Sequence, residues 1–169
     1  MAFNVREIFA ALDHVQARYV VVDGVAVILH GHVRLTQDLD LVIDLEPENC
    51  KKALNALESI GLKPRLPVVM QDFADPEKRE DWYQHKHMLV FQLWDPGNPQ
   101  RSIDVFVREP VKFENLWRDS MVKDYDGIGI RVASIPHLIQ MKAGTGRIRD
   151  QEDIAKLQDI QQQNISRNI

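Results

Sequence analysis

The chain has 169 residues, 44% of them apolar, and a formal net charge of −4. That length suits one domain with a proper core, and the negative charge argues against a general nucleic-acid binder. The single Cys50 excludes a disulfide framework and a cysteine-based zinc site. With no signal-peptide pattern and no apolar run long enough to span a bilayer, a cytoplasmic protein without a membrane partner is expected.

Val5, Ile8, Phe9, Leu12 and Val15 recur at helical spacing over residues 4–17, with Asn4 as cap. Tyr19-Val20-Val21-Val22 is a β-branched run ending at Gly24 and reads as a buried strand. Residues 25–30 read as a short buried helix closed by Gly31. Asp38 to Ile43 alternates acidic and apolar residues as a strand does, and Pro47 ends it. Glu48 to Ile60 is a helix stopped by Gly61, Leu62 to Arg65 a brief edge strand, and 67–84 an irregular, partly helical stretch. Met88 to Trp94 and Ser102 to Val107 are strands around the turn Asp95-Pro96-Gly97-Asn98-Pro99. A short helix is expected over 113–119, then a hairpin from Met121 to Val132 around Asp126-Gly127. Ser134 caps a helix with Pro136 in its first turn. After Gly144-Thr145-Gly146, a last amphipathic helix over 149–160 gives way to a fraying Gln/Asn-rich tail. This order predicts an α/β (α+β) fold, a mixed sheet flanked by helices. Residues 1–133 would form the core, and 134–169 a helical segment packed on it as one compact unit.

Alternate residues of a strand share a face, so Asp38 and Asp40 point together. Their mutual repulsion favours protonating one of them unless a cation intervenes, and oxygen-only donors suit Mg²⁺. Asp104 is a lone acid within the apolar strand Ser102 to Val107. If that strand lies beside the first, the three acids can hold two metals about 3.5–4 Å apart, with Asp104 as ligand or general base. Gly24 stands where a strand passes into a helix, a place where backbone can approach a phosphate. Plainer readings stand beside these: a D-x-D pair is common, and Gly24 can be a simple turn. Arg65, Lys78, Arg79, Lys86, Arg101, Lys142, Arg147 and Arg149 offer a local basic site if the fold gathers them.

Other signals carry less. His30-x-His32 and His85-x-His87 lack further zinc donors nearby. Gly144-Thr145-Gly146-Arg147 lacks the ending of a phosphate loop and reads as an inter-helix turn. Trp82, Tyr83, Trp94 and Trp117 fit a core, and Glu77 to Asp81 a solvated face.

The order strand, Gly turn, short helix, Gly31-x-x-Arg34-x-Thr36-x-Asp38-x-Asp40, then Asp104, resembles the polymerase-beta-type nucleotidyltransferase superfamily. The likeness is greatest to small prokaryotic members, including the nucleotidyltransferase toxins of abortive-infection toxin–antitoxin systems. Those also carry a late segment like Ser134-x-Pro136-x-Leu138-Ile139-x-Met141-Lys142, followed by Arg147, Asp150 and Asp153. The resemblance covers residues 19–44, 102–107 and 134–157. It implies Asp38, Asp40 and Asp104 as ligands of two Mg²⁺ ions, with Gly24 holding a triphosphate. It implies Lys142 as a positive charge for the phosphates, and Arg34 as a phosphate or acceptor contact or a loop brace. Thr36 would orient the loop, and Asp150 would pair with Arg147 or Lys142. The implied activity moves a nucleoside monophosphate from an NTP such as ATP to an RNA, protein or small-molecule acceptor. A toxin-type member would have a cognate antitoxin as partner.

One residue departs from the pattern. The family turn is usually Gly-Gly or Gly-Ser, and here it is Asp23-Gly24. Asp23 would point away from the phosphates, recruit an extra cation, or mark lost transfer activity. The last case is a degenerate nucleotidyltransferase fold that only binds; a metal-dependent phosphohydrolase on another fold is a third reading.

Overall fold

The structure, a computed structural model, describes residues 4–169. Strand β1 (Tyr19–Val22) is buried at all four positions, as its β-branched sequence requires of a strand covered on both faces. Strand β2 (Leu39–Ile43) runs antiparallel to it, pairing Val22 with Asp40. On the other side, β7 (Ile128–Val132) pairs with β1 in parallel and closes a hairpin with β6 (Met121–Tyr125). The hairpin turns at Asp126-Gly127, both at positive φ. Beyond β2 lie β5 (Asn98–Phe106), parallel to it, then β4 (Val90–Asp95) and β3 (Lys63–Pro64), each antiparallel to its neighbour. Among the described residues the sheet has seven strands, in the order β3-β4-β5-β2-β1-β7-β6.

Helices α1 (Arg6–His14), α2 (Asp23–Leu29), α3 (Pro47–Ser59), α4 (Pro76–Lys86), α5 (Phe113–Asp119), α6 (Ile135–Lys142) and α7 (Ile148–Arg167) flank it. Ile8, Phe9 and Leu12 of α1 join Ala53, Leu54 and Leu57 of α3 in the core. A 3-10 helix, Met70–Ala74, and α4 occupy the stretch read as irregular, and Trp82 stacks on Phe91. Arg79 corrects the expectation of a wholly solvated face over residues 77–81: it is buried and donates to the Phe73 carbonyl. Ser134 caps α6 by accepting from the His137 amide.

The last helix also differs from expectation. It continues to Arg167 instead of fraying after residue 160. No Gly or Pro interrupts 148–167, Leu157 is buried, Ile160 packs on the core, and Gln, Lys and Arg are good helix formers.

Buried Asn49 ties α3 to one end of the β1–β2 pair, where Arg18 and Asp44 lie side by side. Its Oδ1 accepts from the Arg18 amide at 2.7 Å, and its Nδ2 donates to the Arg18 and Asp44 carbonyls at 3.0 and 2.8 Å. Asn49→Ala removes all three bonds and strands the Arg18 amide, while the Arg18 carbonyl keeps its bond from the Asp44 amide. We expect a loss of about 2–3 kcal/mol in urea unfolding, and an unchanged midpoint would show that water satisfies the freed groups.

Candidate active site

The parallel register of β2 and β5 sets Asp40 directly opposite Asp104. Asp38 lies two residues earlier, in the extended segment entering β2 and not in the strand itself. Sequence reasoning left the neighbourhood of the two strands conditional; the sheet order supplies it. Burial, then repulsion from Asp23, Asp104 and Asp38, pushes the Asp40 carboxyl up to about 8 against the opposing pull of Lys142. Burial and Asp38 likewise raise Asp104, partly offset by a hydrogen bond from Gln92. Asp104 Oδ1 is buried with no hydrogen-bond partner. Carboxylates that repel one another, one of them with an orphaned buried oxygen, are the hard donors that a divalent cation such as Mg²⁺ takes, although their oxygens are more widely spaced than those of Asp23, Asp150 and Asp153.

The turn before these acids is tightly packed. Asp23 opens α2 with φ of 55°, a left-handed conformation that Gly adopts freely and Asp tolerates better than most residues. A Cβ on Gly24 would meet Thr36 Oγ1 at 2.5 Å and Arg34 Nη2 at 2.7 Å, so only Gly lets the 32–38 segment lie against the turn. That segment alternates: His32, Arg34 and Thr36 face inward, whereas Val33 and Leu35 are exposed. Thr36 Oγ1 donates to the Asp38 carbonyl at 3.3 Å, at the approach to the acids.

Lys142, on α6, is buried among three carboxylates. Its Nζ lies 2.7 Å from Asp23 Oδ1, 3.1 Å from Asp150 Oδ1 and 2.9 Å from Asp153 Oδ2. Arg34 Nε lies 3.3 Å from Asp153 Oδ1, and Arg147 Nε 2.6 Å from Asp150 Oδ2. Burial alone would lower the Lys142 pKa, but its carboxylate partners win and it is raised. Burial alone would raise Asp150, but the Thr145 hydroxyl, Arg147 and Lys142 bring it down to about 2. Asp23, Asp150 and Asp153 present oxygens within 4.8 Å of one another, a spacing a metal would accept; the Lys142 ammonium already contacts all three.

Asp23, Gly24, Arg34, Thr36, Asp38, Asp40, Asp104, Arg147, Arg149 and Asp150 line one cleft of about 340 Å³. Five of the six site residues singled out from sequence therefore meet on one cavity. Lys142 lies instead on a second cavity of about 350 Å³ that shares Asp23, Asp40, Asp104 and Arg147 with the first. Of the other basic residues, Arg147 and Arg149 reach the cleft, whereas Arg101 is bound to Glu7 and Asp95. The histidine pairs are separately engaged: His30 Nε2 bonds the Ala133 carbonyl, His32 lies 3.8 Å from Asp153, and His85 contacts Asp81. Arg149 belongs to the basic set that the sequence offers, and the fold brings it to the cleft; Asp153, present in the late motif at i, i+3 from Asp150, has no assigned role in the sequence and proves to be a partner of Lys142 and Arg34.

The fold and this arrangement of acids define a nucleotidyltransferase-like protein. The structure is similar to the lincomycin-bound lincosamide antibiotic adenylyltransferase LnuA, with a TM-score of 0.59, 20% identity, and coverage of 92% of this chain and 96% of that one. It is similar to an antigenic nucleotidyltransferase-like protein from Paracoccidioides brasiliensis (TM-score 0.58, 16% identity, 92% of this chain and 72% of that one). The antibiotic-resistance factor ANT(2'')-Ia gives a TM-score of 0.56 at 13% identity, over 97% of this chain and 90% of that one. Identities this low establish the fold alone. No curated protein sequence matches the chain. Residues 3–167 match the family described as nucleotidyltransferase of unknown function (DUF6036), and the chain belongs to that family. No helix among the described residues is long and apolar enough to cross a membrane.

Two outcomes follow for the metal-free protein. Lys142→Met leaves three carboxylates without their shared counterion and is expected to cost about 3–5 kcal/mol in urea unfolding; a loss below 1 kcal/mol would mean that the network contributes no net stability. Because the folded Asp40 pKa of about 8 exceeds the ordinary 3.8, the folded state holds its proton between these values. Stability therefore falls as pH rises from about 4 to 8. Asp40→Asn should flatten that dependence in melting curves taken in chelator.

Proposed function

We propose that the protein transfers a nucleoside monophosphate from an NTP to an acceptor hydroxyl in a Mg²⁺-dependent reaction that releases pyrophosphate. The in-register Asp40–Asp104 pair with its orphaned Oδ1, opening on a cleft walled by Gly24 and arginines, carries this reading. Asp38, Asp40 and Asp104 are the residues that would hold the metal. Two ions bound there would supply charge neutralisation for the triphosphate and a lower pKa for the acceptor hydroxyl.

The remaining roles belong to the chain. Gly24 leaves room for Thr36 and Arg34 to pack on the turn, and so holds the 32–38 segment at the wall that faces the triphosphate. Arg147 is bound only through Nε and its side chain is 67% exposed, so the rest of its guanidinium is available to phosphate oxygens. Arg149 lines the same wall. Arg34 acts mainly as a brace, through Asp153, and Lys142 acts through Asp23 by fixing the turn. In the step itself, the acceptor oxygen bonds to the α-phosphorus as the α–β bridging bond breaks. Pyrophosphate carries away that electron pair, and the hydroxyl proton passes to the Asp104 carboxylate.

The acceptor admits two sources. Resemblance to toxin-type members favours RNA or protein, with a cognate antitoxin as partner. The fold shared with LnuA, a lincosamide antibiotic adenylyltransferase, makes a small-molecule acceptor with ATP as donor the other source. A binding module without transfer is the second reading of the site, because Asp23 sets a further carboxylate among the acids of the cleft.

Supplied with NTP, Mg²⁺ and cell extract as acceptor source, the protein should release pyrophosphate. Asp40→Asn and Asp104→Asn should each lower the rate by about 100-fold or more. Retained release in either variant sinks the assignment. NTP binding that ignores Mg²⁺ and survives Asp38→Asn marks the module, and orthophosphate in place of pyrophosphate marks a hydrolase.

A further inference from the structure

The geometry points to an acceptor pocket for a small, hydroxyl-bearing molecule with an apolar body, in the second cavity beside the carboxylates. This inference rests on the transfer reading above. The two cavities meet at Asp23, Asp40, Asp104 and Arg147 and otherwise have different walls. Gly24, Arg34, Thr36 and Arg149 belong to the polar cleft, whereas Leu89, Val90, Phe106, Pro110, Leu138 and Met141 belong to the second cavity. Displacement at phosphorus sets the attacking and leaving oxygens roughly in line. Two cavities that meet at the acids give each oxygen its own approach, with pyrophosphate leaving along the arginine wall and the acceptor entering from the apolar one.

The chemistry of the walls selects the acceptor. At about 350 Å³ the cavity lies at the lower end of the range for sites that enclose a small ligand. Nucleic acid is held chiefly by cations on its phosphates. The cations here are Lys142, held by three carboxylates, and Arg147, whose remaining guanidinium nitrogens serve the triphosphate at the shared boundary of the two cavities, and three acids share the lining. A polyanion finds no available cation in this cavity beyond the one that the triphosphate engages. An apolar body finds a wall assembled from four parts of the chain: the residues opening β4, the end of β5, the following loop and α6. A wider depression of about 650 Å³ along Gln158, Gln161 and Gln162 shares no lining residue with the carboxylates and offers no such chemistry.

The test incubates the full chain with Mg²⁺ and ATP labelled at the α-phosphate. Three fractions of cell extract are offered separately: dialysable small molecules, total RNA, and protein. Label is expected in the small-molecule fraction, with equal pyrophosphate. Leu89 is 63% exposed at the cavity rim, so Leu89→Lys should fold normally while placing an ammonium on the apolar wall. It should raise the KM for the labelled acceptor about 10-fold or more, with kcat nearly unchanged. Met141→Trp, which fills the cavity, should stop labelling and leave Mg-ATP binding in calorimetry within about two-fold, well below the tenfold that marks 1.4 kcal/mol. Label entering RNA or protein alone overturns the inference, as does loss of Mg-ATP binding in Met141→Trp, which would assign the cavity to the nucleoside. Absence of both label and pyrophosphate from every fraction overturns the transfer reading, and this inference with it.

Discussion

One ammonium group organises the site. Lys142, near the end of α6, binds the first residue of α2 and two residues of α7, and through Asp153 it reaches Arg34 in the segment before β2. Asp23, Asp150 and Asp153 balance Lys142, Arg34 and Arg147, so the assembly is formally neutral and self-contained. A buried pair of this kind adds little net stability compared with apolar packing, but removing one member leaves charges that nothing solvates. Its effect is therefore positional. The turn, the inward-facing loop residues and both C-terminal helices are held in one arrangement, and Asp38 and Asp40 follow immediately from that loop.

A second cluster lies beside the first and is built on the opposite principle. Asp38, Asp40 and Asp104 form no ion pair; Lys142 acts on Asp40, and Arg65 on Asp104, only as distant charges. The same chain thus neutralises three carboxylates internally and leaves three others in mutual repulsion. The sheet enforces that repulsion, because the parallel β2–β5 register fixes Asp40 against Asp104 as long as Leu39, Leu41, Ile103 and Val105 stay buried. Slipping the register by one residue would relieve the acids and expose the apolar set, which the core does not permit. Core packing is what keeps the acids together.

These relations also explain what the sequence could reveal. Local signals were legible because their causes are local: the β-branched β1, the acid-apolar alternation into β2, the Asp126-Gly127 hairpin and the Ser134 cap. The Asp40–Asp104 contact depended on strand order, which a single sequence leaves open. The Lys142–Asp23 bond spans 119 residues and had no local signature. Reading Lys142 as a phosphate ligand followed its charge; its actual surroundings came from the packing of α6 on α7. The apolar cavity wall was hidden for a different reason. Leu138 and Met141 match the periodicity of core residues, and nothing in a hydrophobic pattern separates a residue facing the core from one facing a cavity. Extension of α7 to Arg167 was missed because its polar tail was read by hydropathy when helix propensity decided the matter.

Asp23 is where the two clusters touch, and its setting explains how this chain departs from the usual turn. The backbone there is left-handed, which favours Gly; Asp occupies it at some conformational cost. Its carboxylate also faces the acids, where it is the largest source of charge repulsion on Asp40. Both costs are offset by one interaction, the hydrogen bond from Lys142, with Arg34 a further positive charge 3.8 Å away. Gly at this position would relieve the backbone and the repulsion together, yet it would remove one of the three carboxylates around a buried ammonium. Asp23 and Lys142 are thus a matched pair. The departure at the turn is intelligible only from α6, at the far end of the chain.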